Sequence, residues 1–104
     1  MNDESTLGGY LEKHGRPPAF EGKDGAAYSV SIITSDEKED AGYGAALLFV
    51  RWSPEGDRPV GHLETDYLVF GESFARARNE LENLSLHDVK RHLDTAIDGA
   101  GETF

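Results

Sequence analysis

The chain has 104 residues, no cysteine and a formal net charge of −10 at pH 7, from 20 acidic residues against 10 Lys and Arg. One domain with a single core is expected at this length, and the lack of cysteine excludes disulfides, thiolate metal sites and thiol nucleophiles. Because non-specific nucleic-acid binding depends on Lys and Arg that displace condensed counterions, the charge also argues against a direct nucleic-acid partner.

The N-terminal segment, residues 1–15, is polar and contains glycine, and we expect it to be a flexible arm. Two prolines then favour extended backbone at the start of the domain, 16–99, which a short tail, 100–104, follows. No basic stretch precedes an apolar one, and no apolar run approaches the roughly 18 residues that a membrane helix needs. A cytoplasmic protein without membrane contact is therefore expected.

The first two strands are predicted on either side of an Asp-Gly pair at residues 24–25, the strongest short-range signal for a hairpin. They are expected over 18–22 and 26–35. In the second strand apolar side chains alternate with serines, which is typical of a strand with one buried face. The alternating residues are Tyr28, Val30 and Ile32 against Ser29 and Ser31. The acidic run that follows, 36–42, is typical of a solvated loop.

The third and fourth strands are predicted over 43–53 and 60–70, separated by a turn rich in Pro and Gly. The third strand has apolar residues on both faces, so both faces need cover. One face has Ala46, Leu48, Val50 and Trp52, and the other has Ala45, Leu47 and Phe49. In the fourth strand the residues expected to face the core are Leu63, Thr65, Tyr67 and Val69.

Two amphipathic helices are predicted at the end of the chain. Ser73 is a suitable N-cap for the first, and Ser85 for the second, with Asp88 in the position of a capping box. Almost no linker separates them, so they must turn sharply and pack as a pair. Strands grouped before helices predict an α+β fold: a four-stranded antiparallel meander followed by two C-terminal helices packed on one face, in the order β-β-β-β-α-α.

The segment FGESFARARNEL, residues 70–81, resembles the strand-to-helix exit of HicB-like antitoxins, in which a glycine, a capping acid or hydroxyl and an alanine-rich helix follow a strand. This resemblance implies an antitoxin-like regulatory protein that binds a small basic partner. It covers only these residues, and the two consecutive terminal helices depart from the family pattern.

His62, Glu64 and Asp66 lie at alternate positions of the fourth strand, so their side chains are expected on one face. Imidazole and carboxylate groups can ligate a divalent metal or act as an acid/base pair. Residues two apart in a strand are separated by about 7 Å, so a metal would need a further ligand such as His14 or His87. The alternative is a solvated strand end.

The second helix places Asp88 and His92 four residues apart, a spacing that an exposed charge pair explains as well as metal binding does. We find no catalytic constellation and no phosphate-binding glycine loop in the sequence, and expect no cofactor. The sequence therefore favours a small, acidic, non-enzymatic protein-interaction domain. A metal-binding or acid/base site at His62, Glu64 and Asp66 is the alternative function.

The sheet face away from the helices is predicted to present Leu47, Phe49, Leu68 and Phe70. Exposed apolar patches usually mark an interface, and a two-fold homodimer is the commonest way to cover one. Alternatively, the N-terminal arm folds over this face. The acidic surface would suit a basic protein partner or an adaptation to high salt.

Overall fold

A computed structural model describes residues 5–101 of the chain, with side chains through residue 99. The elements are α1 (Leu7–His14), β1 (Ala19–Glu21), β2 (Ala27–Thr34), β3 (Tyr43–Trp52), β4 (Pro59–Glu64), β5 (Val69–Gly71), α2 (Phe74–Glu82) and α3 (Leu86–Gly101). The predicted α+β fold, an antiparallel meander followed by two C-terminal helices, is confirmed, with one additional helix at the N-terminus.

The sheet runs in the order β1-β2-β3-β4, and β5 pairs with β3 beyond the end of β4. The predicted fourth strand is thus divided in two. Leu48 pairs with Glu64 and Ala45 pairs with Val69, so five steps along the chain match three steps of β3, which leaves two extra residues. Backbone hydrogen bonds continue across this irregular segment, because the N–H of Thr65 donates to the carbonyl of Leu47 at 3.0 Å.

The core lies between one face of the sheet and the helices. It consists of alternate residues of β2 and β3 together with apolar residues of α1, α2 and α3. These are Leu7, Tyr28, Val30, Ile32, Ala45, Leu47, Phe49, Ala77, Leu81, Val89 and Leu93. The alternation predicted for the second strand is therefore the alternation that divides core from surface.

Helix α1 occupies most of the segment that was predicted to be a flexible arm. The hydroxyl of Thr6 caps its first turn by accepting from the N–H of Gly9 at 3.1 Å, and Gly15 ends it in the left-handed conformation with φ of 65°. Leu7 is fully buried, and Thr6 forms a β-bridge with Ser85. The expected arm is therefore wrong for residues 7–14, because one apolar residue at the helix start reaches the core.

The two C-terminal helices begin at the predicted caps. Ser73 accepts from the N–H of Arg76, and Ser85 accepts from the N–H of Asp88 at 3.0 Å. The predicted tail, 100–104, begins inside α3, which extends to Gly101, and its last three residues lie outside the described part of the chain.

Within residues 5–101, none of the helices combines the length and the apolar character needed to cross a bilayer.

Candidate interaction surface

The sheet has a second face, which the helices do not cover, and we call it the open face. The register of the strands assigns to it the residues of β1 to β5 that alternate with the core positions. These are Ala19 and Glu21 of β1, Ala27, Ser29, Ser31 and Ile33 of β2, Gly44, Ala46, Leu48, Val50 and Trp52 of β3, His62 and Glu64 of β4, and Phe70 of β5.

A shallow apolar depression of about 450 Å³ lies on the open face where β3 and β4 run side by side. Leu48 and Val50 are half-buried, while His62 and Glu64 beside them are exposed. The lining residues are Leu48, Val50, Pro59, Gly61, His62 and Glu64. This depression can receive an apolar side chain from another molecule, with a carboxylate and an imidazole at its margin.

An aromatic cluster occupies the β5 end of the open face. The ring of Tyr67 lies where a side chain at Gly44 would project, since a Cβ at this glycine would be 2.7 Å from Cγ of Tyr67. Tyr67 also packs edge to face with Phe70, with ring centroids 5.8 Å apart. Tyr67 and Phe70 remain 42% and 43% exposed, so this packing leaves aromatic surface available for a contact. Buried aromatic anchors are common at the centres of protein interfaces.

The opposite end of the open face is held by an internal hydrogen bond. The indole Nε1–H of Trp52 donates to Oγ of Ser29 at 3.0 Å, which ties β3 to β2 on this face. Trp52 therefore presents its ring in a defined orientation, with its polar group already satisfied.

Charge is distributed unevenly across the open face. Among its strand residues, the central strands β2 and β3 contribute only uncharged side chains, and the acidic groups are Glu21 on β1 and Glu64 on β4. In a chain with 20 acidic residues, the middle of this face is neutral and its two edges are negative.

The structure corrects the predicted interface residues. Leu47 and Phe49 are fully buried in the core, so the helices cover the face of β3 that was expected to be open. Leu68 is partly buried and packs against the core, and its N–H donates to Ala45. Phe70 is on the open face as predicted. The apolar residues that replace Leu47 and Phe49 on that face are their neighbours Leu48 and Val50.

The predicted metal site is not assembled. Among residues 5–101, no group of three or more His, Asp or Glu side chains is placed to hold a metal ion. The physical reason is that β4 ends at Glu64 and the irregular segment follows, so Asp66 no longer continues the alternation that His62 and Glu64 share. Directly after Glu64, the hydroxyl of Thr65 accepts a hydrogen bond from the N–H of Leu47 at 3.0 Å, and this contact marks the end of β4.

The titratable groups with perturbed pKa values lie on the other side of the molecule, at the β1–β2 turn. The phenol of Tyr28 donates to Asp24 at 2.8 Å, and Arg51 lies 4.0 Å from the same carboxylate. Burial and the hydrogen bond to Asp24 raise the pKa of Tyr28 to about 12. Burial opposes ionisation of Asp24, but the hydrogen bonds from Tyr28 and from the N–H of Ala26 outweigh it and lower its pKa.

The same turn is fastened to α3. Lys23 forms an ion pair with Asp98 at 2.7 Å, and its N–H donates to Asp94 at 3.0 Å. Asp94 also binds Lys90 at 2.6 Å. Lys23, Asp94 and Asp98 therefore join the hairpin to the helix.

Comparison with known protein families, with curated proteins and with solved structures gives no match.

Proposed function

We propose that this chain is a small, acidic, non-enzymatic protein-interaction domain whose binding surface is the open face. The observation that supports this most is the composition of that face. Leu48, Val50 and Phe70 expose apolar surface on a sheet face that none of the helices in residues 5–101 covers. Antiparallel sheets whose outer face is solvated normally carry polar residues there.

The partner that fits is a protein with apolar side chains flanked by basic ones. An apolar group would occupy the depression over Leu48 and Val50, and basic groups would meet Glu21 at the β1 edge. A cytoplasmic setting, as expected from the sequence, belongs to this proposal.

Site-specific photo-crosslinking tests the proposal. A photoreactive side chain at Ser31, which is exposed on the open face, is expected to form an adduct with a protein in extract from the source cells, and Val50→Glu should abolish it. The matched control is the same group at Thr95, which is exposed on α3 and should give no adduct. Adducts from both positions, or an adduct from Ser31 that survives Val50→Glu, would contradict a role for the open face.

A further inference from the structure

Among the strands of residues 5–101, β4 lies at the edge of the sheet and pairs on one side only. It is the last strand in the sheet order, and its neighbour on the other side is β3. Gly61, His62 and Glu64 are exposed along it. A free edge of this kind is a template for pairing with another strand.

The direction of each backbone group follows from the hydrogen bonds of the neighbouring residue. The N–H of Thr65 donates to the carbonyl of Leu47, and these residues are in register with the β3–β4 pairs. In an antiparallel ladder, residues that bond to the neighbour alternate with residues that point away from it. Gly61 and Leu63 therefore bond to β3, while the N–H and C=O groups of His62 and Glu64 point outward.

We infer that β4 pairs with β4 of a second copy of this chain, antiparallel about a two-fold axis at Leu63. Two registers place outward residues opposite each other near the middle of the strand. Pairing His62 with His62 would leave Glu64 opposite residue 60, in the irregular start of β4. Pairing His62 with Glu64 of the second copy uses both outward residues of each strand, and each such pair exchanges two N–H···O bonds.

The side chains of β4 are complementary in this register. On the open face, the imidazole of His62 lies directly opposite the carboxylate of Glu64 of the second copy, and the symmetry repeats the contact. Cross-strand pairs of this kind have Cβ atoms about 5 Å apart, within reach of a hydrogen bond between imidazole and carboxylate. The edge thus matches Glu64 with a hydrogen-bond donor.

The other face of β4 also favours a second copy. Leu63 packs against the core cluster but is only partly buried, because the sheet ends there. At the two-fold axis it would meet Leu63 of the second copy, and the row Phe49–Leu63 would continue across the interface into its symmetry mate. The resulting dimer doubles the width of the open face. The dimer depends on the β4 edge, whereas the proposed function depends on the open face. Either one can therefore fail while the other stands.

Cysteine crosslinking tests the register, and the chain has no native cysteine to interfere. Leu63→Cys is expected to form a disulfide-linked dimer under mild oxidation, because facing Cα atoms in a non-hydrogen-bonded pair are about 4.5 Å apart, within disulfide range. His62→Cys is the control, since its symmetry mate would lie about two residues out of register, beyond the roughly 7 Å limit. Crosslinking at residue 62 without crosslinking at 63 would overturn the proposal.

Proline substitution tests the edge itself by sedimentation at micromolar concentration. His62→Pro removes an outward N–H, so the protein should change from dimer to folded monomer with an unchanged circular dichroism spectrum. Leu63→Pro removes an N–H bonded to β3 and should disrupt the fold.

Charge reversal tests the same edge with variants that keep every backbone N–H. His62→Glu should weaken the dimer at least several-fold, and the double variant His62→Glu with Glu64→Lys should restore it. A native chain that sediments as a monomer, or a dimer insensitive to these changes, would overturn the inference.

Discussion

At the scale of single residues, polar contacts at the β1–β2 turn show how a buried side chain of the sheet can bond to a surface turn. Tyr28 is almost fully buried, yet its phenol reaches Asp24 in the turn, and Arg51 lies near the same carboxylate. The alternation of Tyr28 with serines predicted its burial. The partner of its hydroxyl could not be predicted, because it depends on the conformation of the turn.

Tyr28 should make stability depend on alkaline pH. Its pKa is raised to about 12 in the folded protein, against about 10 for an exposed phenol, so its contribution is present below pH 10 and is lost as the pH rises toward 12. By about pH 11.5 the loss should approach about 2 kcal/mol. Urea unfolding at pH 9 and pH 11.5 measures it, with Tyr28→Phe as the control. An equal fall in the unfolding free energy of both proteins would contradict the assignment.

At the scale of elements, the fourth strand and the N-terminal helix show where the spacing of apolar residues in the sequence fails to predict the structure. Period-two alternation predicted that Tyr67 faces the core, but two extra residues after Glu64 turn its ring onto the open face, over Gly44. The interval 65–68 has no proline or glycine to indicate such a break. The hydrogen bond from the N–H of Leu47 to the hydroxyl of Thr65 stabilises the irregular segment.

Helix α1 should be an integral part of the fold. Leu7 is fully buried, so Leu7→Ala is expected to lower the free energy of unfolding by about 2–5 kcal/mol, the usual cost of a cavity at a buried leucine. Leu11→Ala is the matched control on the same helix, and its cost should be smaller because Leu11 is only partly buried. Chemical denaturation measures both. If Leu7→Ala left the free energy of unfolding unchanged, α1 would not contribute to the stability of the fold, and the segment would behave as the flexible arm that the sequence predicts.

At the scale of the whole molecule, the net charge of −10 predicts that salt stabilises the fold. Repulsion among acidic groups is screened as the Debye length falls from about 10 Å at 0.1 M salt to about 3 Å at 1 M. The midpoint of thermal unfolding should therefore rise between these concentrations. Replacing the exposed Glu37 and Asp40 by Lys changes the net charge from −10 to −6, since each replacement adds two charges, and should reduce the response. An unchanged midpoint in the native chain would remove the electrostatic argument.

The sequence by itself determined the first three strands, the two C-terminal helices and the order in which they follow one another. The signals that were sufficient are local, because each depends only on residues close together in the sequence. They are the alternation in β2, the apolar residues on both faces of β3, and the helix caps at Ser73 and Ser85. They were sufficient for the α+β class and for the two C-terminal helices. They were also sufficient to divide the residues of β3 between two faces.

Tertiary structure alone decided which of those faces is open. The two faces of β3 are nearly equal in apolar character, with Leu47 and Phe49 on one and Leu48 and Val50 on the other, so hydrophobic pattern could not choose between them. The choice depends on where the helices dock. The docked helices are held by contacts between residues far apart in sequence, such as those of Leu7 in α1 with the core, and local spacing gives no signal of these contacts. The candidate binding surface follows from that choice.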